Sequence, residues 1–332
     1  MAHLIELRNV SKAFKVGGGF LRAKKYAKAV DRVSFHIDER STMALVGESG
    51  CGKTTTGKLV AGLLKPTEGE VLYRGKDVWR MSRKEYRKYR RAVQIIHQDP
   101  YSSLNPMLTV YKSLSAPLFK HGIVSSKEEA VEATSKLLEM VGLTPPEDFI
   151  YKYPHQLSGG QRQRVVVARA MSVNPDLVVA DEPVSMIDVS MRLQILHLMR
   201  DLQAELGVAY LFITHDLATG RYFASRGFTA VMYLGSIVEF GPTNRVISEP
   251  MHPYTRALLS AIPEPDPERT RRKKVMQLRS LDVPSLLDLP SGCKFHPRCP
   301  FYMEGKCDVK APGRYYVDSD RWVACYIYGD GE

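Results

Sequence analysis

No stretch of the 332 residues reaches the run of about 18 apolar residues that a membrane-crossing helix requires. The first ten residues, Met1–Val10, lack the basic segment followed by an apolar core that marks a secretory signal. A cytoplasmic chain is therefore expected, one that works at a membrane only by docking on a partner that spans it. No internal repeat is visible. Glycine and proline, 24 and 20 residues, are too dilute for a disordered chain. Cysteine is scarce as well. Of five, Cys51 stands alone, and Cys293, Cys299, Cys307 and Cys325 fall within the last 40 residues, the first sign of a separate C-terminal module.

The length is too great for one small core and suits a large domain with an appendage. Hydrophobic residues at 44% and charged residues at 25% fit a water-soluble globular protein. The net charge of +11 favours anionic partners: nucleotides, nucleic acid or an anionic membrane face. Part of the excess lies in two runs, Arg83–Arg91 and Arg269–Lys274, read first as solvated helix faces or linker. No groove-reading motif stands beside either run, so nucleic acid is not an expected partner.

The first third reads as short strands and turns. Leu4–Val10 and Val30–Ile37 alternate as half-buried strands do, and Thr42–Val46 is a short apolar run of the buried kind. A glycine-rich turn follows, then a helix over Lys53–Leu64. Strand, glycine loop and helix together signal an α/β fold. From about residue 107 to 171 the spacing turns helical, most clearly over Lys127–Val141 and Gln161–Met171, as in a helical subdomain inserted into the core. The core resumes with the strand Leu177–Ala180, the helix Val189–Leu206, and strands Ala209–Ile213 and Phe228–Tyr233. Past Glu239 proline recurs (Pro250, Pro253, Pro263, Pro265, Pro267), a linker composition. The expected division is a core over residues 1–248 and an extension over 249–332.

Gly47-Glu48-Ser49-Gly50-Cys51-Gly52-Lys53-Thr54, with Thr55 behind it, matches G-x-x-x-x-G-K-[ST]. Glycines let such a backbone curl until successive N–H groups face phosphate oxygens, and the following helix presents its positive end to the same anion. Lys53 is placed for the β- and γ-phosphates and the Thr54 hydroxyl for Mg²⁺. Cys51 reads as a small residue fitting a tight turn. Downstream, the apolar run from Asp176 ends in Asp181 and Glu182. In a phosphate-loop protein the first acid holds Mg²⁺ and the second polarises the attacking water as a general base.

Leu157-Ser158-Gly159-Gly160-Gln161 precedes a helix and offers a second phosphate-binding surface at that helix's N-terminus. One phosphate loop and one such surface, too far apart to meet within a subunit, suggest a head-to-tail dimer with each site completed in trans. Here the sequence resembles the nucleotide-binding subunits of ABC transporters over about residues 3–248. Further motifs occur in the family's order. Gln98, within Ile96-His97-Gln98-Asp99-Pro100, matches the Q-loop, which the resemblance implies touches Mg²⁺ or the attacking water and senses the membrane partner. Ser185-Met186-Ile187-Asp188 matches the D-loop at the dimer seam. His215, in Thr214-His215-Asp216, matches the switch histidine on the γ-phosphate, and Phe14 sits where the family places an aromatic on adenine. The implied fold is an α/β P-loop NTPase core of the ABC ATPase type, with an inserted helical subdomain and a small cysteine-containing C-terminal extension. The implied activity is ATP hydrolysis.

Three further segments narrow the resemblance to the oligopeptide/dipeptide importer branch and carry it over nearly the whole chain: Gln98–Pro106, His252–Ser260 and Gly292–Pro300. That branch implies a homologous second ATPase as heterodimer partner, two transmembrane permease subunits, an extracytoplasmic solute-binding protein, and a place on the cytoplasmic face of the cell membrane. Short peptides are the expected cargo, with nickel or oligosaccharides as alternatives. A soluble ABC ATPase acting on ribosomes or DNA is the rival, disfavoured because the chain has neither a second ATPase domain nor a long coiled-coil insertion. Three departures stand out: Arg40-Ser41 where relatives usually have Gly-Glu, Ser225 where Asp is common, and Ile187 for Leu in the D-loop. The first two put local turn geometry in question, not activity.

The tail cysteines are spaced C-x5-C-x7-C-x17-C. Disulfides are not expected in a reducing cytoplasm. Spacing alone leaves Zn²⁺, an iron–sulfur cluster and free buried thiols open. The family resemblance implies a [4Fe-4S] cluster on Cys293, Cys299, Cys307 and Cys325, with Zn²⁺ as its alternative.

Overall fold

The computed structural model describes residues 2–17, 25–262 and 275–329. The basic run Arg269–Lys274 and Pro263, Pro265 and Pro267 lie outside them. The chain divides into two compact units. One comprises residues 1–4, 37–41 and 75–211; the other comprises 5–36, 42–74 and 212–332.

In the first unit, the strand Leu177–Asp181 is buried at all five positions and runs parallel to Val93–Ile96, in register from Val93 opposite Leu177 to Ile96 opposite Ala180. The helices Val110–Lys120, Lys127–Met140 and Gly159–Met171 pack on one another. Their starts follow from capping chemistry. The hydroxyls of Thr109, Ser126 and Ser158 accept from backbone N–H groups of the first turn, and Glu129 and Gln161 close two of these ends as capping boxes. The helical character expected over 107–171 is thus present, with Val110–Lys120 added despite Pro117 inside it. The run Arg83–Arg91 lies in a helix, Arg83–Ala92, that opens on the Ser82/Glu85 capping box and buries Tyr89 while Arg83, Lys84, Arg87 and Lys88 are exposed. The helix Val189–Leu206 has the bounds expected from sequence.

In the second unit, Ile5–Val16 pairs antiparallel with Glu68–Tyr73, Ile5 opposite Tyr73 and Ser11 opposite Glu68. Lys25–Ile37 belongs to the same sheet, and both of its long strands exceed their expected lengths. Five further strands form a mixed sheet in the order Tyr315–Asp318, Arg321–Val323, Ser236–Pro242, Phe228–Tyr233, Thr42–Val46. Thr42–Val46, wholly buried, runs parallel to Phe228–Tyr233, which pairs antiparallel with Ser236–Pro242. The tail then returns: Val323 stands opposite Glu239 and Trp322 opposite Phe240. The extension therefore adds strands to this sheet and shares a hydrophobic cluster with it, in which Phe295 and Cys299 lie among Val231, Tyr233, Val238 and Tyr254. The helix Lys53–Val60 ends four residues short of the expected Leu64, because the amides of Leu63 and Leu64 turn back to the Lys58 carbonyl.

The strand Ala209–Thr214 is buried at all six positions; it begins in the first unit and ends in the second.

Candidate nucleotide site

In the second unit, the loop Gly47–Thr54 joins the buried strand Thr42–Val46 to the helix Lys53–Val60. Gly52 opens that helix with φ 108°, and a Cβ there would lie 2.1 Å from the Ala29 carbonyl oxygen. No other residue fits so tight a left-handed position. Lys53 is 5% exposed, and its Nζ donates to the carbonyls of Gly47 at 2.8 Å and Glu48 at 3.0 Å, so the loop itself aims the amine. Ser49, Gly50 and Thr54 are exposed, Thr55 half-buried, and Thr56 anchors the turn by donating to the Gly52 carbonyl at 3.1 Å. Cys51 is buried. Desolvation raises its thiol pKa, which keeps the sulfur neutral and gives it the packing role expected of it. Phe14 is 39% exposed, with the Lys12 ammonium 5.5 Å from its ring centroid.

His215 follows the strand Ala209–Thr214 and is exposed. The next helix, Leu217–Phe223, is capped by Asp216, whose carboxylate accepts from the amides of Ala218 and Thr219. Leu217 and Ala224 pack on Ala44 and Val46, the strand that carries the phosphate loop. The histidine is thus set on an element braced against that strand.

In the first unit, Asp181 is 3% exposed at the end of its strand. Glu182, the next residue, is half-buried and adopts φ 48°, a left-handed conformation that L-residues rarely hold without compensation. Its carbonyl is fixed by the Ser185 amide at 3.2 Å and hydroxyl at 3.0 Å. Its carboxylate accepts from Gln98 Nε2 at 2.9 Å. Two residues 84 apart in sequence, matched to two different motifs, meet here.

Ser158 caps the helix Gly159–Met171 through the Gln161 amide at 3.2 Å, and Gln161 Oε1 accepts from the Ser158 amide at 3.0 Å. Gly160 is buried, and a Cβ on it would lie 2.7 Å from Met191 Cε; Gly159 lies beside Ile187. Asp188 is exposed at the start of the helix Val189–Leu206. The structure therefore brings the two glycines of the Ser158–Gln161 motif against Ile187 and Met191.

Within the first unit, the oxygen donors of Gln98, Asp181 and Glu182 are of the hard kind that suits a divalent cation such as Mg²⁺. The curled loop with its aimed lysine suits a polyphosphate.

Sequence reasoning passed over two contacts on the phosphate loop. The Glu48 amide donates to the Tyr254 hydroxyl at 2.8 Å, and the Glu48 carboxylate takes a bidentate pair from Arg298 at 2.8 and 3.0 Å. Both partners lie inside the segments that marked the importer branch, His252–Ser260 and Gly292–Pro300, but nothing in their spacing points back to residue 48.

The expectation of a [4Fe-4S] cluster is corrected. Cys293, Cys299, Cys307 and Cys325 line one apolar space with Phe295, Phe301 and Met303, but its volume is about 10 Å³. That is room for roughly one water, far too little for four irons and four sulfides. No three of these sulfurs gather into a ligand group within 4.8 Å. Tetrahedral Zn²⁺, whose thiolates sit about 3.8 Å apart, is not accommodated either. Burial pushes the Cys293 thiol up to about 12 and the Cys299 thiol up to about 11. All four are free thiols packed as apolar groups, the third reading the spacing left open.

A phosphate loop after a buried strand, an acid pair ending a parallel strand and a capped serine–glycine motif define an ATPase of the ABC type. Comparison with known proteins agrees. Residues 30–185 match the family described as ABC transporter, and residues 238–307 match the oligopeptide/dipeptide transporter C-terminal region. The chain is 43% identical to the putative oligopeptide transport ATP-binding protein YkfD of Bacillus subtilis, over 99% of this chain and 97% of that one. It is 41% identical to the oligopeptide transport ATP-binding protein AppF of the same organism, over 98% and 97%. A dimeric ATP-binding cassette in a post-hydrolysis state with ADP and Pi superposes with a TM-score of 0.62 at 31% identity, covering 72% of this chain and 98% of that one. The chain belongs to the ATP-binding proteins of the oligopeptide/dipeptide ABC transporter family. It is an ATP-hydrolysing subunit, and the channel of such a transporter is supplied by permease subunits; among the described residues here, no helix is long and apolar enough to cross a membrane.

Proposed function

We propose that this chain powers an importer of short peptides from the cytoplasmic face of the cell membrane. It pairs head to tail with a homologous second ATPase beneath two transmembrane permease subunits, and an extracytoplasmic binding protein selects the cargo. The names of the relatives support peptides over nickel or oligosaccharides. The basic surface suits both nucleotide and an anionic membrane face.

In this reading Phe14 stacks on adenine. The loop Gly47–Gly52 with Lys53, Thr54 and Thr55 holds the phosphates. Thr54, Gln98 and Asp181 hold Mg²⁺, which supplies charge neutralisation at the transferred phosphoryl group. Glu182 takes the proton of the attacking water, and His215 contacts the γ-phosphate. Ser158, Gly159, Gly160, Gln161 and Asp188 serve the nucleotide of the partner ATPase. The observation that carries the chemistry is the 2.9 Å bond from Gln98 to Glu182, made by a carboxylate on a strained backbone at the end of a buried strand. It gives the base a fixed orientation and a partner from the segment expected to sense the channel.

The test is capture of the full chain from native membranes in mild detergent, then ATP hydrolysis by the assembly in proteoliposomes with peptide-loaded binding protein. Co-purification with two permeases and a second ATPase, and peptide-stimulated phosphate release, are expected. Recovery with ribosomal or DNA-bound proteins instead would overturn the transport reading.

A further inference from the structure

We propose that Arg298 of the C-terminal extension is a positioning residue for ATP: it neutralises Glu48 within the phosphate loop and so sets the loop's affinity for the polyphosphate. The proposal rests on the reading of Gly47–Thr54 as the ATP site.

The geometry is that of a built contact. The Arg298 side chain is 6% exposed and Glu48 29%. Both terminal nitrogens of the guanidinium engage both carboxylate oxygens, at 2.8 and 3.0 Å, the planar fork that arginine makes best. Arg298 Nη1 also lies 3.4 Å from the Tyr233 hydroxyl, and the guanidinium sits 5.7 Å from the Phe295 ring centroid. Phe295 packs edge-on to Tyr233, centroids 5.3 Å apart, and at 5.5 Å from Tyr254. That Tyr254 receives the Glu48 amide. One wall of the extension therefore grips the second residue of the phosphate loop twice, by its amide and by its carboxylate.

Electrostatics give the grip a consequence. Glu48 is flanked by Gly47, whose carbonyl, like its own, receives Lys53 Nζ. A bare carboxylate at this position would repel a polyphosphate and compete for the lysine. Paired with Arg298 it does neither, and the lysine's charge is left for the ligand. A loop whose motif specifies only glycines, lysine and a hydroxyl residue thus acquires a dependence on a side chain 250 positions away.

The experiment measures KM and kcat for ATP hydrolysis in the assembled transporter carrying full-length variants. Arg298→Gln is expected to raise KM about tenfold, as loss of a partly buried charge pair predicts, with kcat within about twofold. Adding Glu48→Gln to it removes the uncompensated carboxylate and is expected to return KM to within about threefold of the parent. A merely structural arginine would not be rescued this way. An unchanged KM in Arg298→Gln, or a raised KM that Glu48→Gln does not lower, overturns the proposal. Should Arg298→Gln not fold, Arg298→Met, which keeps the apolar stem packed, is read instead: a raised KM supports the proposal, and an unchanged KM overturns it. Lys53→Ala tests the underlying reading separately. If it binds ATP as the parent does, the loop is not the ATP site; if it loses ATP while Arg298→Gln behaves as the parent, only the arginine's role fails.

Discussion

Glu182 and Glu239 are both glutamates at strands, and the protein treats them in opposite ways. Glu182 stays half-buried, on a left-handed backbone, and its carboxylate accepts from the neutral side-chain amide of Gln98. Glu239 is wholly buried in the strand Ser236–Pro242. It accepts from the Met251 amide at 3.0 Å and the His252 amide at 2.9 Å, and faces Arg321, itself 2% exposed. Nearby, His252 Nδ1 accepts from the Tyr254 amide at 3.0 Å and caps the helix Pro253–Ala261. The carboxylate proposed as the general base must remain reachable and exchange a proton, so its surroundings tolerate strain and openness. The structural carboxylate has its oxygens filled by two backbone amides and a guanidinium, as burial of a polar group requires.

That contrast can be broken at several points. The largest effect is expected at the catalytic pole. Glu182→Gln removes the proposed base and should lower ATP hydrolysis by about 10²–10⁴-fold while ATP binding persists, read by phosphate release and nucleotide retention. At the structural pole, Arg321→Ala leaves Glu239 charged and buried without its cation. A loss of about 3–5 kcal/mol in thermal or denaturant unfolding is expected, with no effect on catalysis in the fraction that folds. His252 sharpens the contrast through pH. Burial depresses its pKa from 6.5 to about 3, so the unfolded chain binds the proton more readily. The stability of the neutral form is full above about pH 6.5 and is lost as pH falls toward about 3, by a few kcal/mol in all. His252→Asn keeps a capping oxygen but does not titrate. The difference in stability between the two proteins should therefore shrink or reverse as pH falls through that window. The smallest effect is expected at Arg40, which holds φ 59° where relatives usually carry glycine. Arg40→Gly relieves backbone strain but gains freedom when unfolded, so stability should move by less than about 1 kcal/mol.

Arg40 also shows how far sequence can be read. Its turn holds because Ser41 Oγ donates to the Asp38 carbonyl at 2.8 Å and accepts from the Asp38 amide at 3.1 Å. Local departures of this kind are visible as residues out of pattern, but their compensation is not. The phosphate loop, Glu182, Gln98 and the Ser158–Gln161 motif were legible because their chemistry demands fixed residue types at fixed spacing. Buried strands such as Thr42–Val46 and Phe228–Tyr233 were legible because every position is apolar or nearly so. The returning strands were not. Tyr315–Asp318 is exposed at all four positions, and Arg321–Val323 is three residues long with a buried arginine, so neither alternation nor an apolar run announces them. The cysteines misled for a related reason. Spacing reports candidate ligands, whereas room for a cluster depends on how Phe295, Phe301 and Met303 fill the space between them. The Arg298–Glu48 pair lay beyond reach altogether, since a contact across 250 residues leaves no local signal.

The pairing of Glu239 with Arg321 also bears on how the protein is made. The arginine is synthesised 82 residues after the glutamate, together with the strand that covers the edge of Ser236–Pro242. At about 5–20 residues per second, a growing chain spends several seconds with that carboxylate lacking its cation and that edge unpaired. Final closure of this unit therefore waits on the synthesis of Arg321 and its strand, and chains cut off before Arg321 should leave that edge open to aggregation.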